Sequence, residues 1–257
     1  MSARKILACM ALASCIIATI SAVLYFQHAN QMARGNAEQV VQHTSKLLVG
    51  EFETYLQAQQ NASALLAGLP EVSDVLRRDT DLNTENATKI LNSSCDALAA
   101  SICYLMDTEG MVVADNTHSS SPTIIGNNYS FRPYFQQAIS EGRATYLTMG
   151  DTTGKRGLYF SHLVRSENGE TLGVAVIKFP AEGLEESFSA ADGISTLVDE
   201  NGVIFASSRK DWTLHSFWQL DEEQSRRLIS SRQFGDESIR SLGFSQPLGN
   251  HTVAADG

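Results

Sequence analysis

Residues 102–115 read ICYLMDTEGMVVAD. An apolar run, a polar turn at TEG and a second apolar run predict strand, tight turn, strand. Residues 194–207, ISTLVDENGVIFAS, repeat the theme about 93 residues further on, allowing one residue of slippage from Asp107 to Asp199. Internal repetition of this kind argues for two related lobes.

Working outward from the first hairpin, ATYLTMG (144–150), RGLYFSHLVR (156–165) and TLGVAVIKF (171–179) read as three more strands, the last two joined by the polar turn SENGE. Short helices are predicted over 71–78, 83–100 with Asn83 or Thr84 as cap, 134–140 after Pro133 at its first turn, and 181–189. Strands running hairpin to hairpin, with helices packed on them, give an α+β fold with antiparallel sheets. Before it, residues 30–69 contain no proline, and glycine only at 35, 50 and 68. Val41, Leu48, Phe52, Tyr55, Ala62, Leu65 and Leu66 recur at helical spacing, so a long stalk helix is expected, ended by Pro70. Its apolar stripe is suited to packing on its own domain and on the same helix of a second chain, which makes a homodimer the expected assembly.

The N-terminus differs. Arg4 and Lys5 precede residues 6–26, a run of 21 without a charge, long enough as a helix to span the ~30 Å hydrocarbon core of a bilayer. Leading positive charge assigns residues 1–5 to the cytoplasm and everything after about residue 27 to the far side of the membrane. A cleaved signal peptide fits less well, because the apolar run continues through Val23, Leu24, Tyr25 and Phe26. Leu12-Ala13-Ser14-Cys15 also resembles a lipoprotein processing box, but cleavage there would leave an apolar tail on the mature chain. Of the four cysteines, Cys9 and Cys15 fall in this run, while Cys95 and Cys103 are either a disulfide in an oxidising compartment or two buried free thiols.

With 43% hydrophobic and 19% charged residues, the 257-residue chain is ordinary for a folded protein. Its net charge of −10 and the absence of a basic run exclude nucleic acid as a partner. The six histidines, at 28, 43, 118, 162, 215 and 251, make no metal-ligand spacing, and no phosphate loop, GxSxG elbow or CxxC is present. Ser161 and His162 are strand neighbours that point to opposite faces, so they cannot work as nucleophile and base. No metal, cofactor or catalytic residue is expected.

One region opposes the overall charge. Residues 128–180 carry six cations, Arg132, Arg143, Lys155, Arg156, Arg165 and Lys178, against Glu141, Asp151, Glu167 and Glu170. Arg143, Lys155 and Arg165 stand in polar, turn-like settings and read as solvated. Arg132, Arg156 and Lys178 are interleaved with Tyr, Phe and Gly, either as one anion pocket or as separate structural ion pairs. Lys178 follows GVAVI on an apolar strand, a poor core choice unless an anion or a wet cavity receives it. Tyr129, Tyr134 and Tyr159 offer hydroxyls, and Thr152-Thr153-Gly154 a turn whose amides and hydroxyls can face the same anion. Cations and neutral donors around a small cavity suit a carboxylate.

These residues resemble a known family. FRPYFQQAISEG (131–142), GDTTGKRGLYFSHLV (150–164) and GVAVIKF (173–179) are similar to the extracytoplasmic sensor region of bacterial four-carbon dicarboxylate sensor histidine kinases, a double Cache (tandem PAS-like) domain. The resemblance runs from about residue 31 to the C-terminus. It implies a membrane-distal ligand-binding lobe over 70–190 and a membrane-proximal lobe over 191–257. It further implies a pocket for succinate, fumarate or malate lined by Arg132, Tyr134, Thr152, Thr153, Gly154, Arg156, Tyr159, Ser161 and Lys178. Leu158, Leu163 and Asp151 depart from the family pattern, and an acid at 151 either suits a ligand bearing an amino or hydroxyl group or simply faces solvent. No second apolar run and no kinase motif follow, so the chain is expected to be the input part of a longer receptor in the bacterial inner membrane. That receptor is a histidine kinase on this resemblance, with a diguanylate cyclase, a chemoreceptor or a stand-alone periplasmic binding protein as alternatives.

Overall fold

A computed structural model describes residues 3–77, 83–116, 123–190, 193–235 and 238–244. The turn-rich stretch at 117–122, the C-terminal NHTVAADG, His118, His251 and most side chains of 3–15, including Cys9 and Cys15, lie outside the described residues. The chain forms two compact units, one from the N-terminus to Phe52 and one from Glu53 to Val253.

Helix α1, Ala3–Ala67, covers both the apolar run and the stalk. Among the described residues, however, no helix is long and apolar enough to cross a membrane. In the second unit α1 ends at Ala67, three residues before Pro70, which opens α2, Pro70–Arg77; α3, Asn83–Ala97, follows. The expected strands are present as β1 (Ile102–Met106), β2 (Val112–Asp115), β3 (Arg143–Met149), β4 (Arg156–Arg165) and β5 (Thr171–Pro180), with α4 at Pro133–Glu141 and α5 at Glu182–Ser189. They form one antiparallel sheet in the order β2-β1-β5-β4-β3.

Both faces of this sheet are covered, so its central strands are apolar almost throughout. Cys103, Leu105, Phe160, Ile177 and Phe179 face one side, where Tyr55 of α1 meets the Phe179 ring edge-on at 6.2 Å. Tyr104, Met106, Tyr159, Val174 and Val176 face the other, packing with Tyr134, Phe135 and Ala138 of α4. Cys95 and Cys103 are buried free thiols; the hydrogen bond between them, then burial, pushes the Cys103 thiol up.

After α5 come β6 (Thr196–Val198) and β7 (Ile204–Ser207), a 3-10 turn at Lys210–Trp212, β8 (His215–Ser216), α6 (Glu222–Ser231) and β9 (Arg240–Ser241). The β6–β7 hairpin repeats β1–β2 down to single hydrogen bonds. Asp107 Oδ1 accepts from Glu109 N and Met111 N, and Asp199 Oδ1 from Asn201 N and Val203 N. Gly110 and Gly202 both take φ 79°, and the register slips at Leu105/Met106 and again at Leu197/Val198. The spacing is 92 residues with no slippage, one fewer than the sequence reading allows.

Among the described residues the repetition stops beyond that hairpin: the C-terminal part shows a two-stranded antiparallel pair and a short parallel pair, β8–β9, in place of a second full sheet. Residues 208–235 lack the further apolar alternation that strands need, and the polar stretch 221–231 becomes α6 instead, opened by a capping box of Asp221 and Gln224. The expected boundary at 190/191 falls inside the second compact unit.

A Cβ on Gly202 would press on the Trp218 ring, and the backbone there is left-handed. Gly202→Ala is therefore expected to destabilise the fold by about 1–3 kcal/mol, read as a lower Tm together with a shift in tryptophan emission.

Candidate ligand pocket

The strands deliver side chains to one end of the α4 face of the sheet. In the β4–β5 ladder Tyr159 stands opposite Lys178, and in the β1–β5 ladder Ile102 stands opposite Lys178. Directly opposed residues share a face, so Ile102, Lys178 and Tyr159 make a row. The segment before α4 brings Ile124, Tyr129 and Arg132 over this row, Tyr134 follows on the helix, and the β3–β4 loop closes it with Gly150, Asp151, Thr152 and Thr153. The cavity is about 30 Å³, room for about two waters.

Its tyrosines form a connected wall. Tyr134 stacks on Tyr159 at 5.0 Å between centroids, and the Tyr104 hydroxyl donates to that of Tyr134 at 2.8 Å. Tyr129 Oη lies 3.0 Å from Thr152 Oγ1. Burial pushes the phenols of Tyr104, Tyr134 and Tyr159 up from the usual tyrosine value, so all three stay neutral hydroxyls at physiological pH.

Lys178 is 3% exposed. Its Nζ donates to Thr153 Oγ1 at 3.2 Å and to the Lys155 carbonyl at 3.0 Å, and lies 5.4 Å from the Tyr159 ring centroid. Among the described residues no carboxylate pairs with it. Burial pulls its pKa down to about 8, with Glu182 opposing and Lys155 and Arg132 adding to the fall. Two glycines make room for this side chain. A Cβ on Gly157 would fall within the Lys178 stem, and one on Gly150 would come within 2.9 Å of Nζ.

Arg132, at the N-cap of α4, is held on its far side. Nη1 donates to the carbonyls of Ser231 at 3.3 Å and Arg232 at 3.0 Å, and Nη2 faces Asp151 at 3.4 Å. Asp151 also meets Arg232 at 3.4 Å.

Of the nine residues expected to line the pocket, six do so: Arg132, Tyr134, Thr152, Thr153, Tyr159 and Lys178. Gly154 closes the loop, its N–H donating to the Gly150 carbonyl at 2.8 Å. Ser161 is buried deeper and donates to the Tyr134 carbonyl at 2.8 Å, so it seats α4. Arg156 is elsewhere. It lies on the opposite sheet face, with Leu158 and Phe160, where it pairs with Glu185 at 2.8 Å and donates to the Phe205 carbonyl, tying β4 to α5 and β7. Of the two readings open for Arg156, it makes the structural ion pair. Ile102, Tyr104 and Ile124 also line the cavity, and the sequence pattern does not single them out; the alternation of ICYLM puts Ile102 and Tyr104 on one face, but only the ladder shows which.

Residues 28–253 match the Cache domain family. The C4-dicarboxylate transport sensor protein DctB of Rhizobium meliloti is 31% identical over 173 residues, 64% of this chain and 28% of that protein. DctB of Pseudomonas aeruginosa is 27% identical over 190 residues, 74% of this chain and 30% of that protein. The chain thus spans about 30% of the length of these curated relatives. Among solved structures, the sensor domain of the V. cholerae histidine kinase DctB matches with a TM-score of 0.72 at 26% identity, covering 82% of this chain and 83% of that one. The ligand-binding domain of the Campylobacter jejuni chemoreceptor Tlp3, solved with 4-methylisoleucine, shares the fold at a TM-score of 0.54 and 21% identity, covering 65% of this chain and 68% of that one. The sheet, the paired hairpins and the match over most of its length agree: this chain belongs to the Cache domain family of sensor regions.

Proposed function

We propose that the chain is the ligand-binding input region of a receptor for a small carboxylate, a four-carbon dicarboxylate by preference, and that the complete receptor is a sensor histidine kinase. The observation that carries the reading is Lys178. A buried ammonium with only neutral partners is costly, and a carboxylate in the cavity would supply the missing counter-charge beside Arg132. The tyrosine hydroxyls and Thr152 would take its remaining lone pairs. The printed names of the DctB relatives support the dicarboxylate class.

An amino acid is the second reading, favoured by Asp151 in the cavity wall as an acceptor for an ammonium group. Asp151 is already engaged by two arginines, which ranks this reading lower. Anchoring by the uncharged residues 6–26, an extracytoplasmic location for the rest, pairing of two chains along α1 and service of the β6–β9 region as the membrane-proximal lobe belong to the same proposal. The exposed apolar residues Val40, Leu47 and Val49 on α1 support the pairing.

A thermal-shift panel of succinate, fumarate, malate and amino acids tests the ligand class. A true ligand at 100 times its Kd adds about 2.7 kcal/mol of stability, and Lys178→Met should abolish that gain. Gly157→Ala, which displaces the Lys178 side chain without touching the cavity, should weaken binding by at least tenfold. No shift with any acid defeats the carboxylate reading.

The pH profile follows from the same residue. An anion favours charged Lys178, whose free-state pKa is about 8, so binding takes up protons near that pH. Calorimetry is expected to give a flat affinity below pH 7 and a decline above pH 8; a flat profile through pH 9.5 would assign the affinity to Arg132 alone.

A further inference from the structure

The end of α6 reaches the pocket from about 100 residues away in sequence. Arg232, its C-cap, takes φ 50° and ψ 34°, a left-handed conformation that persists in a non-glycine residue only when its surroundings impose it. The turn aims the Ser231 and Arg232 carbonyls at Arg132. The next residue, Gln233, is joined to the edge strand β3. Its carbonyl accepts from Met149 N at 2.7 Å and Thr148 Oγ1 at 2.8 Å, and its Nε2 donates to the Leu147 carbonyl at 3.1 Å. Phe131 serves both guanidiniums, with Arg132 at 5.1 Å and Arg232 at 5.7 Å from its ring centroid.

Asp151 is the shared group. It faces the cavity, and its Oδ1 meets Arg132 and Arg232 at the same 3.4 Å. A carboxylate ligand on Arg132 would stand next to this negative charge and compete with it. Arg232, outside the cavity lining, offers Asp151 a second cation at the same distance and so shares the charge that would otherwise fall on Arg132 alone.

We propose that Arg232 is a positioning residue for carboxylate binding, sharing Asp151 with Arg132 so that part of the Asp151 charge is neutralised elsewhere and the Arg132 guanidinium stays available to the ligand. Ligand affinity then depends on the docked end of α6. By linkage the ligand strengthens that docking in return, and occupancy of the cavity is transmitted to the C-terminal part through the β3 edge. This rests on the carboxylate reading above.

The test is a double-mutant cycle in the full chain with succinate as probe. Arg232→Ala is expected to weaken binding about two- to fivefold, the range of one partly exposed ion pair. Arg232→Lys, which keeps the charge, should restore most of the affinity. Asp151→Asn should bind at least as tightly as the natural chain, and adding Arg232→Ala to it should change nothing further. Succinate should slow hydrogen exchange at the Met149 amide, and do so less in Arg232→Ala. Unchanged affinity in Arg232→Ala, or an equal loss with and without Asp151, overturns the inference and leaves the carboxylate site standing. If the natural chain binds no acid at all, the underlying reading fails first, and the inference with it.

Discussion

A lysine ammonium has been carried to the end of an apolar strand and buried against a tyrosine ring, and the surrounding residues are arranged to tolerate it. Gly157 leaves the space through which the Lys178 stem passes, and Gly150 leaves space at its tip. Thr153 and the Lys155 carbonyl accept hydrogen bonds from it without neutralising it. The β3–β4 loop is thereby drawn down onto the ammonium, which closes the cavity. Loop position and cation solvation are one problem here, since anything that satisfies Lys178 better than Thr153 does also releases the loop.

Much of this could be read before the fold was known, because it follows from periodicity and local chemistry. The hairpin at 102–115 announces itself by alternation around an Asp-x-x-Gly turn, and its copy at 194–207 repeats even the bulge. The anomaly of Lys178 is visible from its apolar neighbours alone. Arg156 reads as a pocket residue because it is interleaved with Tyr, Phe and Gly and because the family resemblance includes it, although the alternation that separates Ser161 from His162 also separates residue 156 from residue 159. The face rule was available, and the charge pattern outweighed it.

Other features depend on contacts distant in sequence and leave no local trace. Nothing in SSRQFG marks residues 231–233 as partners of Arg132 and β3. The two-fold burden on Asp151 is likewise invisible, because both of its arginines come from elsewhere in the chain. The extent of the C-terminal sheet could not be inferred from one repeated hairpin either. A strand pair can recur while the rest of its sheet does not, provided another element, such as α5 against β7, covers the exposed apolar surface.

The seam between Gln233 and β3 also bears on self-association. β3 is the last strand of the five-stranded sheet, and an uncovered edge strand presents unpaired N–H and C=O groups as a template for another chain. Gln233 occupies the Met149 amide and the Leu147 carbonyl at that edge. The C-terminal part therefore acts as a guard on the sheet as well as a neighbour of the pocket, and the five-stranded sheet cut free of it would carry a ready site for strand addition beside the cavity.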